Sequence, residues 1–388
     1  MTRPYRIALF GATGFTGILV AQYLHRQLAG TSLTWAIAGR NPDKLEALRR
    51  QLRSDSGAEP AVLRADVSDA ASLRALASQC DVLITTVGPY ETHGEVVVLA
   101  CVREGTDYVD ITGEPPFVER VRVHYGDEAR AKKLRIVNCC GFDSIPHDLG
   151  VYYTIKHCPA GEPVTVEGFV EFHGGVSGGT WHSAIGILSR YFETRGSAKN
   201  LRQSADGRTV RSSQIRVRHE QEVDAWVVPL PTIDPQIVRR SALTLEEYGP
   251  DFRYGHYLAV RSLPMLAAQV LGAGGVLALS QFEATRNLLY RVYSPGDGPS
   301  AEQRAKHWFR VTFVAQSQSA RIHTRVSGGD PGYDETAKML GEAAICLVRD
   351  RDRLPQRYGV ITPAAAYGEV LIDRLQRAGI RFELLPHA

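Results

Sequence analysis

Arg6-Ile7-Ala8-Leu9-Phe10-Gly11-Ala12-Thr13-Gly14-Phe15-Thr16-Gly17-Ile18-Leu19-Val20-Ala21-Gln22-Tyr23-Leu24 is the stretch whose reading decides the fold. Residues 6–10 form a short apolar strand, 11–17 a glycine-rich turn, and 18–24 a helix. Strand, glycine turn and helix in that order turn a glycine spacing into a dinucleotide site. Gly11 allows the tight turn, Gly14 lets backbone approach a pyrophosphate, and Gly17 lets the helix pack on its strand. The pyrophosphate is expected on N–H groups at the positive end of the helix dipole. The spacing is GxxGxxG rather than GxGxxG, and its place directly after a strand gives it meaning. The competing reading is a glycine turn in a parallel sheet that binds nothing.

The second strand, Leu33-Thr34-Trp35-Ala36-Ile37-Ala38, ends in Gly39-Arg40-Asn41-Pro42. An NAD site carries Asp or Glu at this tip, roughly 20 residues past the glycines, to accept from the ribose 2′-hydroxyl. Here the tip carries Arg40, with Lys44 one helical turn on. A guanidinium forks onto phosphate oxygens, so the expected cofactor is NADP(H). The candidate cofactor-binding set is Gly11, Thr13, Gly14, Phe15, Thr16, Gly17, Arg40, Asn41, Asp66, Gly88 and Pro89.

With 388 residues, the chain is too long for one ordinary core and suits two domains. Its 44% hydrophobic and 22% charged residues suit a globular protein. A net charge of +3 without a basic run excludes nucleic acid as an expected partner. Six cysteines without CxxC pairs or His/Cys ligand spacing point to a reducing compartment and no metal. The start, Met1-Thr2-Arg3-Pro4, runs straight into the first strand, so the expected location is cytoplasmic. One segment, Ser262 to Phe282, carries no charge. A bilayer span needs about 20 apolar residues, but Pro264, Gln269, Gly272, Gly274, Gly275 and Gln281 make a poor one. The favoured reading is a buried or interfacial helix pair; the others are peripheral contact with lipid or an acyl chain, and a true span.

Residues 1–150 alternate strand and helix cues at the pace of a doubly wound parallel sheet, a Rossmann domain in an α/β chain. Ala61 to Val67, Asp81 to Gly88, Asp107 to Ile111 and Leu134 to Cys139 are its further strands, near-continuous apolar runs of the buried parallel kind. Residues 151–330 form a second, mixed α+β domain with a largely antiparallel sheet. Its strands include Val164 to His173, Gln214 to Val223 and Trp308 to Val314. Residues 331–388 supply C-terminal helices packing back on the core, Gly332 to Leu347 and Pro363 to Arg377, the second N-capped by Thr362.

Ligands of open α/β sheets bind beyond the carboxyl ends of the strands. Three loops there hold Tyr90, His93, Glu95, Asp110, Glu114, Asp143, His147 and Asp148. Each alone reads as a cap or turn residue, and Asp148 as the N-cap of the next helix. Together they form a candidate site, because hydride transfer needs a proton donor beside the nicotinamide. Tyr90 and Asp143 are the candidate catalytic residues. Tyr152 and Lys156 match a YxxxK spacing with Ser144 upstream, but any helix after the sixth strand produces that spacing easily.

With these motifs assembled, the chain resembles the saccharopine dehydrogenase-like oxidoreductases, and within them the trans-acting enoyl reductases of mycobacterial lipid biosynthesis. The resemblance rests on residues 11–17, on Ala38 to Asn41, Val87 to Tyr90, Tyr108 to Glu114 and Cys140 to Pro146. It extends through Gly174 to Thr180 and Gly332 to Ala337. It implies an NADP-binding Rossmann domain, a mixed second domain, and reduction of a lipid or polyketide precursor. His147 stands where relatives are expected to carry serine. The leading reading is an NADPH-dependent enoyl reductase acting in trans on a small-molecule or carrier-bound acyl or polyketide substrate. Gly178, Gly179 and Thr180 would shape the acyl pocket. Alternatives are a ketone or imine reductase, and a lipid-associated binding protein with a vestigial nucleotide site. A homodimer is the expected assembly.

Overall fold

The computed structural model describes residues 3–53, 59–174, 185, 203–205, 207–213, 216–292 and 298–386. These fall into two compact units, one of residues 1–145 and 333–379, the other of 146–332 and 380–388.

The first unit is built on seven parallel strands. They are β1 (Tyr5–Phe10), β2 (Trp35–Gly39), β3 (Ala61–Arg64), β4 (Cys80–Thr85), β5 (Asp107–Asp110), β6 (Arg135–Val137) and β15 (Gly359–Ile361). Their order is β15-β6-β5-β4-β1-β2-β3, so the order in which strands are added reverses between β1 and β4. Ile7, Ala8 and Leu9 of β1 are fully buried, as are Ala36 and Ile37 of β2 and Val82 to Ile84 of β4. Burial from both faces is why these segments read as unbroken apolar runs. Helices α1 (Phe15–Leu28), α2 (Pro42–Arg53), α3 (Ala70–Ser78), α4 (Tyr90–Glu104) and α5 (Pro115–Ala131) connect the first six strands. Asp69 caps α3 by accepting from the Ala71 and Ser72 amides. Gly105 ends α4 in the left-handed conformation at φ +73°.

The C-terminal stretch contributes more than helices. Asp334–Arg349 is a long helix, but the run expected from Pro363 to Arg377 breaks at Gly368 into Pro363–Tyr367 and Glu369–Arg377. Gly368 has φ +54° and ψ −141°, which a helix cannot continue through. The short strand β15 joins the parallel sheet beside β6, and β16 (Arg381–Leu384) belongs to the second unit's sheet.

The second unit carries a nine-stranded mixed sheet. Its strands are β7 (Val164–His173), β8 (Gln203–Ala205), β9 (Arg208–Ser212), β10 (Arg218–Glu220), β11 (Ala225–Pro229), β12 (Asp251–Val260), β13 (Trp308–Gln316), β14 (Arg321–Gly328) and β16. β7 lies between β12, to which it is parallel, and β13, to which it is antiparallel. Of the strand expected over Gln214 to Val223, Arg218–Glu220 alone is strand among the described residues; Gln221–Val223 is a single 3₁₀ turn. Helix α6 (Ile145–Ile155) lies on this sheet at Gly150, where a Cβ would stand 2.4 Å from the Phe313 ring. Asp148 sits inside the first turn of α6 and is buried, rather than at its cap.

The uncharged segment 262–282 opens a pair of helices, as expected, but most of its apolar side chains are not buried. Ser262 caps the helix Leu263–Ser280 by accepting from the Met265 amide, and a second helix, Glu283–Tyr290, follows. Leu271 is 76% exposed, Phe282 69% and Leu288 65%, while Leu266 and Leu289 turn inward. An apolar run has the same composition whether protein or solvent covers it, so its sequence leaves burial open. No helix among the described residues is long and apolar enough to cross a membrane.

Exposure of Leu271 makes a direct prediction. Leu271→Lys should change unfolding free energy by less than about 0.5 kcal/mol, as surface substitutions do. Chemical denaturation checks this, and a loss of several kcal/mol would mean the side chain is core.

Candidate nucleotide site and carboxyl-end loops

The turn after β1 is shaped by contacts that leave no room for side chains. Gly11 adopts φ +88°, and a Cβ there would come within 2.8 Å of both Thr86 Oγ1 and Val87 Cγ2. At Gly17 a Cβ would stand 2.1 Å from the Gly11 carbonyl oxygen. Helix α1 therefore sits directly on the turn. Gly14, at the N-cap, differs: it is exposed, and the single atom within 4 Å of its added Cβ is the Gly11 oxygen at 3.5 Å. Two glycines are filled by protein and the third faces open space, which is the cradle a pyrophosphate needs. Thr13 and Thr16 flank it half-buried. Phe15 packs edge-on against Tyr333 with ring centroids 5.0 Å apart.

Arg40 is exposed at the tip of β2, and Asn41 caps α2 by accepting from the Lys44 amide at 3.0 Å. The parallel register pairs Gly39 with Arg64, so a second guanidinium stands at the tip of β3. Sequence reasoning passed over Arg64; the register of β2 against β3 is the signal that finds it. Asp66 accepts from the Ser68 amide and hydroxyl, which hold its carboxyl below the usual range, with Arg40 and Arg64 adding to the effect. The residues fit a dinucleotide with a 2′-phosphate: a glycine cradle at one end and two arginines beyond the acid position at the other.

The acids of the neighbouring loops are largely structural. Asp110, fully buried at the end of β5, accepts from the Thr112 and Cys139 amides, the Tyr108 hydroxyl and the Asn138 amide group. Burial pushes its carboxyl up to about 6, against the pull of those four donors. The bonds fasten the loop after β6 to the end of β5 and hold Cys139 at φ +62°. Glu114, also buried, reaches across to accept from the Tyr90 and Glu91 amides, capping α4. Gly113 brings its backbone close under Asp143, where an added Cβ would stand 2.9 Å from Asp143 Oδ2 and make that side chain shift. Thr336 Oγ1 accepts from the Phe142 amide, tying the Gly332 to Ala337 motif to the same loop.

The candidate catalytic residues part company here. Tyr90 is buried, its hydroxyl donating to the Thr85 carbonyl, and burial pushes its phenol well above 10. It is a core tyrosine beneath the loop that holds Gly88 and Pro89. Asp143 is exposed on the loop after β6, its carboxylate over Gly113. Glu95 is drawn onto the α4–α5 surface by Arg120 at 3.0 Å. His147 and Asp148 lie in the second unit, and burial pushes the His147 imidazole down to about 4. Tyr152 is buried there while Lys156 is exposed beyond the end of α6. Gly178, Gly179 and Thr180 lie outside the described residues.

Residues 7–137 match the sequence profile described as the saccharopine dehydrogenase NADP binding domain, so the bound dinucleotide is NADP. The trans-acting enoyl reductase of Mycobacterium ulcerans is 34% identical over 97% of this chain and 97% of its own length. A Mycobacterium tuberculosis protein given the same activity by name is 37% identical over 98% of this chain and 97% of its own. The saccharopine dehydrogenase-like oxidoreductase of Homo sapiens is 31% identical over 99% and 98%. Apo saccharopine dehydrogenase (L-Glu forming) from Saccharomyces cerevisiae superposes with a TM-score of 0.55, covering 98% of this chain and all of that one. At 13% identity that likeness is one of fold.

Gly14→Val should keep the fold, because its Cβ meets a single carbonyl oxygen at ordinary contact distance, and lose NADPH binding in calorimetry. Normal NADPH binding by the folded variant would remove the cradle from Gly14. Asp110→Asn should destabilise the first unit by about 1–3 kcal/mol in chemical denaturation, since an amide nitrogen in place of Oδ2 accepts from neither Tyr108 nor Asn138.

Proposed function

The chain belongs to the saccharopine dehydrogenase-like oxidoreductases, and on that basis we propose that it is an NADPH-dependent reductase of α,β-unsaturated acyl or polyketide intermediates, acting in trans on a carrier-bound substrate. The observation that carries this reading is near full-length similarity to two relatives named as trans-acting enoyl reductases. When bound, NADPH supplies a hydride. The chain's own residues supply the rest.

Arg40 and Arg64 bind the 2′-phosphate, which an acid at this position would repel. The glycine turn and the N-terminus of α1 receive the pyrophosphate. Asp143, exposed at the carboxyl end of the sheet, takes a proton from solvent and passes it to the substrate α-carbon. The apolar surface of Leu263–Ser280 suits a long acyl chain or a peripheral lipid contact, because exposed apolar patches of this kind mark binding surfaces.

Three measurements test the reading. In an assay panel of enoyl-thioesters, ketones and imines, steady NADPH oxidation is expected with the enoyl compounds. Turnover confined to ketones or imines would replace the assignment, and binding without turnover would favour a vestigial site. Arg40→Ala should weaken NADPH by about 1.5–3 kcal/mol, the scale of hydrogen bonds to charged groups, and leave NADH nearly unchanged. Equal losses by calorimetry would mean that Arg40 does not read the 2′-phosphate. Asp143→Asn should lower kcat by about a hundredfold or more at unchanged NADPH affinity, the range of general acid catalysis.

A further inference from the structure

The second unit buries two histidines and an aspartate close to one another. His147 comes from α6, Asp234 opens the helix Asp234–Thr244, and His256 lies in the middle of β12. All three are 2–3% exposed. His256 Nε2 is 3.4 Å from Asp234 Oδ2, and His147 Nε2 is 3.9 Å from the same oxygen. The imidazole rings meet edge to face at 4.9 Å. One donor atom from each residue falls within 4.8 Å of the other two.

We propose that His147, Asp234 and His256 bind a divalent transition metal ion of the zinc type, which clamps α6, the helix Asp234–Thr244 and β12 together. Zinc bonds of about 2.0–2.2 Å to nitrogen and oxygen put tetrahedral ligands about 3.3 Å apart. The closer pair is already near that spacing, and the others reach it by a contraction of about 1.5 Å or less, within side-chain rotation. Two imidazoles and a carboxylate are a donor set that borderline metals accept.

The surroundings point the same way. The His256 Nε2 atom is buried and makes no hydrogen bond of good geometry, though it is aimed at the carboxylate. Its other ring nitrogen lies 3.0 Å from the Tyr254 hydroxyl, which can accept from Nδ1–H and so leave Nε2 as the lone-pair donor. Thr232 donates its hydroxyl to Asp234 Oδ2 at 2.5 Å, fixing the carboxylate. A ligand ring and a ligand carboxylate each held by an outer hydrogen bond are the usual support of a metal centre. Three protein donors leave the fourth position of a tetrahedral ion to a water molecule. The absence of cysteine spacing hides the site in sequence, because its ligands come from three separate elements.

The test uses the untagged full-length chain and zinc or cobalt(II) as the probe. After dialysis against chelating resin, elemental analysis should find about one zinc retained per chain. The apoprotein should melt several degrees higher once zinc is added. His147→Ser and His256→Gln should each lose at least tenfold of the retained zinc and the thermal shift, at unchanged NADPH affinity. Cobalt(II) in the wild-type apoprotein should give the intense visible bands of a four-coordinate site, a reading that needs no variant to fold. The proposal is overturned if the wild type retains no stoichiometric metal and shows no thermal shift. It is equally overturned if cobalt gives the weak six-coordinate spectrum, or if both variants keep the wild-type metal content.

Discussion

The backbone contact between Gly17 and Gly11 governs the first unit. Helix α1 starts so close to the turn after β1 that no Cβ fits between them. That closeness holds the first amides of α1 at the carboxyl end of β1, where the strand order of the sheet reverses. A ligand crevice forms at such a reversal in open α/β sheets. Thr86, on the loop after β4, closes the other side by donating from its amide to the Phe10 carbonyl and from its hydroxyl to that of Gly11. The shape of the turn thus follows from a packing constraint laid down before any ligand is present.

Around that turn, buried acids act as fasteners. Asp110 collects four donors and Glu114 two, and between them they set the loops after β4, β5 and β6. Each bond is made in a site with little water, where leaving a partner unmet is costly. Density of titratable residues at the carboxyl ends is therefore mostly architecture. Asp143 is the acid that the same loops leave exposed.

The parallel sheet was legible because its strands are buried on both faces and so read as apolar runs, and the glycine turn because its spacing has one geometric purpose. β15 was not legible: Gly359–Ile361 is too short to show a period, and its place beside β6 is a long-range pairing. Tyr90 looked like a proton donor because position in a loop says nothing about which way a ring turns. Leu263–Ser280 looked like core because composition does not record what covers a helix. Arg64 and the His147, Asp234 and His256 cluster emerged from register and tertiary contact, which a linear reading does not contain.

In the proposed reaction, hydride passes from NADPH to a carbon–carbon double bond. Single-turnover reaction of the enzyme with NADPH deuterated at C4 and an enoyl-thioester, followed by mass spectrometry of the acyl product, tests it most directly. One deuterium is expected at the β-carbon of a saturated product. Deuterium appearing instead on an alcohol or amine carbon when ketone or imine substrates are supplied, with none transferred to the enoyl-thioester, would contradict it.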